Sequence, residues 1–398
     1  MGATLPVDGS VWGTPVASIG GVEHELARLR RTRGTYSREL GVPVARASVL
    51  NLVVFANRES HARRAARTIA DLAIRHPSRA VVILADRERA VGIGELGLFC
   101  RLAGSNASQQ VSYEQILIRA HGDADARLAS AVIPLLLPDL PVFLWWTGTP
   151  PLKAAHFDAL LALADRLIVD SADFARPDRT LPAIAAVAEV GHGRHGVTDF
   201  NWTRLTPWRD LVAQFFDVPA WRPFLDGVTG VRVGFAVDAD GREIHPSQAL
   251  LFTGWLASRL GWRAVGRLAP SEAGGLLFAM ARADGVPEGG PGGRPGSGPG
   301  TALVRMRVRP RFERGIDEGD LSGLRIQATA AGREAEFVIK RIGATHAGTS
   351  VVIDGTVVVS RVVALRRPEV SDLLGEELTI AHSDSIYEGA LAALVTLA

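Results

Sequence analysis

Of the 398 residues one is cysteine, Cys100, and two are lysine, Lys153 and Lys340. A single thiol excludes an intramolecular disulfide, a CxxC redox pair and a multi-cysteine metal site, so a thiol switch could act only between chains. Arginine supplies nearly all of the 44 basic residues, which stand against 42 acidic ones for a net charge of +2. That balance lacks the strong positive excess of a nucleic-acid binder, and no nucleic-acid partner is expected. Arginine does suit protein interfaces, being planar, multiply donating and weakly hydrated. Long apolar runs are missing too. The longest, from Ala131 to Trp146, is interrupted by Pro134, Pro138, Asp139 and Pro141, short of the roughly 20 apolar residues of a membrane helix. Met1 to Gly20 has neither the basic start nor the apolar core of a signal peptide. The reading is a soluble, cytoplasmic protein with no membrane partner.

What is present is ample core material. With 47% hydrophobic residues and about 150 residues per domain, two or three domains are expected. Residues 1–44 read as an N-terminal extension with a short helix, whose RLRRTR run (Arg28 to Arg33) is most simply a solvated helix end. Residues 45–171 alternate strand and helix. Ser48 to Ala56, Ala80 to Ala85, Val142 to Trp146 and Arg166 to Asp170 are apolar on both faces, as strands of a buried parallel sheet are. Between them, Glu59 to Arg75 carries an apolar stripe of Ala62, Ala65, Ala66, Ile69 and Leu72. The fold class is therefore α/β, an open and mostly parallel sheet with helices on both faces. Residues 172–398 read as a second, α+β domain with a largely antiparallel sheet, interrupted at 285–300 by a flexible insert of Gly and Pro.

Few motifs point to chemistry. Gly92, Gly94 and Gly97 spell GxGxxG, but the dinucleotide fingerprint belongs directly after a strand and at the start of a helix. Here Asp86 to Arg89 intervenes and Leu98 to Leu102 does not continue as an amphipathic helix, so a glycine-rich loop before another strand is the simpler reading. His192, His195 and Asp199 form an HxxH with a nearby carboxylate in a glycine-rich stretch, which is a solvated loop sooner than a zinc site. No GxSxG, Walker A or HExxH occurs. The inventory names no catalytic residue, no metal ligand and no cofactor.

Two segments are candidate binding sites. Trp145, Trp146, Thr147 and Thr149 follow a central strand, where open α/β sheets place ligand crevices, and a sugar phosphate could bind there. Consecutive tryptophans at a strand end also serve simply to pack against flanking helices. Trp202, Arg204, Trp208 and Arg209 combine the two residue types that dominate protein interfaces. Trp208 continues the stripe of Leu211, Val212 and Phe215, so Arg204 and Arg209, off the stripe, are the better partner contacts.

His76-Pro77-Ser78-Arg79, LLLPDLPVFLWWTG (Leu135 to Gly148), RLIVDS (Arg166 to Ser171) and TRLTPWRDLVAQFFD (Thr203 to Asp217) occur in that order. As an ordered set they resemble the OpcA family of glucose-6-phosphate dehydrogenase assembly proteins, in its actinobacterial form. The resemblance covers roughly residues 45 to 270. It implies an accessory protein that is not an enzyme. Such a protein binds glucose-6-phosphate dehydrogenase, the NADPH-producing entry to the oxidative pentose phosphate pathway, and acts as an allosteric activator or promotes its active oligomer. No catalytic residue carries over. The Gly/Pro insert and the lone cysteine depart from the family, whose cysteines are linked to redox control, so thiol regulation is not carried over. The alternative from the residues is a sugar-phosphate-binding protein or enzyme using the crevice at Trp145 to Thr149. Self-association is left open.

Overall fold

The computed structural model describes residues 11–16, 19–28, 31, 44–46, 48–86, 92–103, 110–121, 127–191, 194–237, 246–271, 274–282, 303–379 and 383–396. The Gly/Pro insert, His192 and the side chain of Cys100 lie outside the described residues. The chain forms two compact units, and neither is a single stretch of sequence. The first takes residues 1–170, 191–200 and 369–383, and the second takes 171–190, 201–368 and 384–398. The change near residue 171 thus marks a place where the chain leaves the first unit, to which it later returns. Leu373 and Leu374, both fully buried among the side chains of the first unit's core, are the physical reason for the return.

The first unit is built on β1 (Val11–Val16), β2 (Val44–Arg46), β3 (Leu50–Ala56), β4 (Ser78–Asp86), β5 (Gly92–Ala103), β6 (Gln110–His121), β7 (Val142–Trp146), β8 (Arg166–Val169) and β9 (Gly196–Asp199). Their order across the sheet is β1-β5-β6-β4-β3-β7-β8-β9, with β2 alongside β6. From β6 to β9 every pair is parallel, while β5 and β1 add an antiparallel edge. Every residue of β3 and β7 is buried, as the unbroken apolar runs require. The helix Glu59–Leu72 lays its alanine stripe and Ile69 on β3 and β4, and small side chains allow the backbones to approach closely. Helix Val370–Glu377 packs beside it. Thr198 on β9 donates a hydrogen bond to the buried Glu377 carboxylate.

Two polar side chains tie the ends of these strands. Asn51 on β3 donates to the carbonyls of Leu137 (2.9 Å) and Leu140 (3.2 Å) and accepts from the Leu137 N–H (2.8 Å), which fixes the proline-rich approach to β7. Arg79 on β4 is buried, bonds Glu114 on β6 at 2.7 Å and the Leu135 carbonyl at 3.2 Å, and also reaches Glu23.

The second unit is built on β10 (Val228–Val237), β11 (Trp262–Pro270), β12 (Leu276–Arg282), β13 (Leu303–Phe312), β14 (Leu321–Ala330), β15 (Arg333–Ile342), β16 (His346–Ile353) and β17 (Thr356–Ala364). Their order is β11-β12-β13-β10-β14-β15-β16-β17, antiparallel except for the parallel pair β10 and β13. The strands on either side of the Gly/Pro tract share this one sheet. Along β13, β14 and β15 the residues alternate between buried apolar and more exposed polar. One sheet face therefore carries the core. There Phe337 is surrounded by Phe215, Phe216, Trp221 and Phe224. Helices Ser247–Leu260 and Ser385–Val395 meet at Gly254, where a Cβ would lie 2.3 Å from the Ala390 carbonyl oxygen.

Candidate functional site

Read without its antiparallel edge, the first sheet has the doubly wound order. Apart from the short β2 alongside β6, the first parallel strand is β3, which is central, with β4 and β6 to one side and β7, β8 and β9 to the other. The order reverses between β3 and β7, so the carboxyl ends of these two strands should open a ligand crevice. A crevice of about 530 Å³ is there, lined by Phe55, Asn57, Glu59, Arg119, Trp146, Thr149 and His156 among others. This is where a dinucleotide would lie on such a sheet, and the residues present do not fit one.

The turn leaving β3 reads Asn57-Arg58-Glu59-Ser60, without a glycine where the pyrophosphate needs close backbone approach. Glu59 puts its own carboxylate in the first turn of helix Glu59–Leu72, the position an anionic ligand would take. Arg119 on β6 holds that carboxylate at 3.0 Å, and Arg63 approaches it at 3.3 Å. Beside it the Trp146 and Phe55 rings stack at 3.9 Å with an interplanar angle of 13°, and His156 lies 5.8 Å from Trp146. The glycines of the GxGxxG lie within β5, an antiparallel strand three places across the sheet from β3. They form a strand and not the loop expected from the sequence, because the pairing of β5 with β6 and β1 absorbs them.

The two tryptophans face opposite sides of the sheet. Trp146 belongs to the crevice wall, while Trp145 packs with Leu52, Val54 and Phe143 and sets its ring edge-on to Phe200 at 5.5 Å. Thr147 continues the sheet, its N–H and hydroxyl both donating to the Phe55 carbonyl at 3.0 Å. Gly148 (φ +75°) turns the chain away. No cluster of three His, Cys, Asp or Glu able to hold a metal ion occurs among the described residues.

In the second unit the Trp and Arg segment is mostly internal. The Trp202 indole is buried, donates to Asp384 at 2.6 Å and lies 5.5 Å from the Tyr387 ring. Trp208 is buried on the stripe with Leu211 and Phe215. Both indoles are buried, Trp208 on the apolar stripe of its helix and Trp202 against the start of the helix Ser385–Val395. Arg209 sits over the Trp202 ring at 3.5 Å and donates to Thr206 at 2.8 Å, while Arg204 donates to Asn201 at 2.8 Å. Both arginines stay part-exposed. Thr206 opens its helix as the first helical residue, with Leu205 in the cap position.

Sequence reasoning passed over two arrangements. One is the buried chain Asn201, Gln248 and Asp320, in which Gln248 donates to Asn201 (3.1 Å) and to Asp320 (2.8 Å); its members are far apart in sequence and carry no local signal. The other is the arginine alternation Val304-Arg305-Met306-Arg307-Val308-Arg309, legible as a strand with one charged face.

An α/β unit with the doubly wound strand order, whose crevice carries the Glu59 and Arg119 ion pair in its wall, is thus joined to a mixed-sheet unit. Two family models match the chain. The glucose-6-phosphate dehydrogenase subunit N-terminal domain matches residues 69–186, and the corresponding C-terminal domain matches 195–391. The chain belongs to the OpcA family. It is 31% identical over 199 residues to a putative OxPP cycle protein OpcA of Synechocystis, covering 50% of this chain and 40% of that protein. It is 32% identical over 196 residues to the Nostoc punctiforme protein of the same name, covering 49% and 40%. The matches thus span well under half the length of these curated relatives. Among solved structures, glucose-6-phosphate 1-dehydrogenase from Mycobacterium avium is similar with a TM-score of 0.49 and 10% identity, over 88% of this chain and 90% of that one. A 3-ketoreductase from Actinomadura kijaniata has a TM-score of 0.45 and 11% identity, over 87% and 94%.

Proposed function

We propose that the chain is a cytoplasmic, non-catalytic partner of glucose-6-phosphate dehydrogenase that promotes its active oligomer or its response to substrate. The observation that carries this reading is Glu59 at the helix N-terminus with Arg119 upon it, which puts an internal ion pair where a nicotinamide dinucleotide would bind. Family membership supports the choice of partner. The physical form of the action is linkage: a protein that binds the active state more tightly shifts the population toward that state by its differential affinity.

Two measurements on the purified chain test it. Fluorescence titration with NADPH is expected to give no saturable signal. Addition of the chain to the dehydrogenase of the same cell is expected to raise its rate at sub-saturating glucose 6-phosphate. Saturable NADPH binding, or an unchanged rate and no co-elution on size exclusion, would overturn the proposal. A second reading, an effector site for a sugar phosphate, is supported by the crevice volume, which falls in the range of small-molecule sites. Calorimetric titration with glucose 6-phosphate and 6-phosphogluconate tests it, and absence of heat with both would end it.

A further inference from the structure

Strand β13 alternates. Val304, Met306 and Val308 are buried on the core side, and Arg305, Arg307, Arg309 and Arg311 stand on the opposite face. On the neighbouring β10 the same face carries Gly230, Arg232 and Gly234. In register, Arg232 stands directly between Arg307 of β13 and Arg325 of β14. The row continues to Leu277 of β12 on one side and Val338 of β15 on the other. With strands about 4.8 Å apart, this row crosses roughly 19 Å of the sheet. The glycines flanking Arg232 add no side chain to this face; a Cβ on Gly234 would meet Ser322 Oγ at 2.8 Å.

Like charges placed side by side on a sheet destabilise it. Burial, and then the charges of Arg309, Arg325, Arg307 and Arg311, hold the Arg232 guanidinium below its ordinary value. Within the row, Glu336 neutralises Arg325 at 3.0 Å. The Nε atoms of Arg232 and Arg309 are buried without a hydrogen-bond partner among the described residues. A row of part-exposed guanidinium groups held together against their own repulsion is complementary to carboxylates supplied from outside.

We propose that this open face of the second sheet is the docking surface for a protein partner that presents carboxylates on a matching surface; resting on the reading above, that partner is the dehydrogenase. A protein fits better than a nucleic acid for two reasons. The arginines of the row are flanked by aliphatic Leu277 and Val338 and no aromatic ring stands among them for base stacking, and the chain's net charge of +2 gives little long-range attraction to a polyanion. Arginine binds carboxylates in bidentate fashion and is easily desolvated, which suits a buried contact.

The test is calorimetric binding of the full chain to the dehydrogenase, at low and at physiological salt, for the wild type, R305E/R307E, R305K/R307K and Arg204→Glu. Thermal melts confirm that each variant folds. The wild type is expected to bind with an affinity that falls as salt rises. The charge reversal should cost at least about tenfold, while the lysine pair, which keeps the charge without the bidentate fork, should fall between it and the wild type. Equal binding by the wild type and the charge reversal would overturn this surface while leaving the partner reading intact. Loss confined to Arg204→Glu would also overturn it, in favour of the segment at 202–209. No binding by the wild type would overturn the partner reading and this assignment with it. Retention of duplex DNA by the wild type that the charge reversal abolishes would reassign the face to nucleic acid, against the proposal.

Discussion

Ala331 and Gly332, both with positive φ (51° and 75°), make the two-residue turn between β14 and β15. The turn between β16 and β17 has the same form with Asp354 and Gly355 (50° and 79°). Asp354 suits its place, accepting from the Glu334 N–H and from Arg333, each at 2.9 Å. Alanine has no such compensation in a left-handed conformation that costs a side chain about 1–2 kcal/mol. Ala331→Asn should therefore raise stability by about 0.5–1 kcal/mol in urea unfolding, Asn-Gly being a favoured pair for this turn. Arg79 works in the other sense. Arg79→Leu removes a guanidinium partner of the mostly buried Glu114 and the bond to the Leu135 carbonyl and should cost about 2–4 kcal/mol in urea unfolding, while the exposed Glu23 loses little. His76 adds a pH dependence, because burial and then the charge of Arg75 lower its pKa from 6.5. An unfolded His76 takes up its proton near pH 6.5 while the folded one resists. Stability should thus be full above that pH and decline as pH falls below it. His76→Phe should flatten the decline in a series of thermal melts. The His-Pro-Ser-Arg segment was visible as a sequence marker, yet the work of its arginine was not, since Glu114 and Glu23 lie 35 and 56 residues away in the chain.

At the scale of elements, the strands of both sheets were largely readable because burial on two faces leaves an unbroken apolar run and burial on one leaves an alternation. β3, β7, β13 and β15 are examples of each kind. The GxGxxG was misread as a loop because glycine spacing says nothing of the strand pairing that absorbs it. Of Trp145 to Thr149, Trp146 and Thr149 line the crevice while Trp145 lies in the core on the other face, and the Glu59 and Arg119 pair in the crevice wall depends on a contact spanning 60 residues. Helix pairing was equally hidden. The approach at Gly254 has no local signature, and Gly254→Ala should cost about 1–3 kcal/mol through overpacking against the Ala390 carbonyl, measurable as a lowered denaturant midpoint. β17 stands at the sheet edge with Val357, Val358, Val359 and Val362 exposed. Such an edge is a template for strand addition, and Val358→Lys should leave the melting temperature within about a degree or two while reducing light scattering on concentration.

For the whole molecule, the division of the chain matters more than its length. Boundaries read from composition gave two consecutive domains, because local pattern carries no information about which distant segment fills a core. The first unit is completed by Leu373, Leu374 and Leu378, and by Glu377 beneath Thr198. A chain ended after Pro368 should therefore lose cooperative unfolding of the first unit and become sensitive to limited proteolysis; an unchanged protease pattern would count against this account. The same feature governs the protein's birth. A ribosome adds residues at about 5–20 per second and most domains fold as they emerge, but here the α/β unit must wait, its sheet made and its last layer missing, until residue 378 has cleared the exit tunnel. A ribosome stalled anywhere in the second sheet should therefore hold a first unit whose core still lacks Leu373, Leu374 and Leu378.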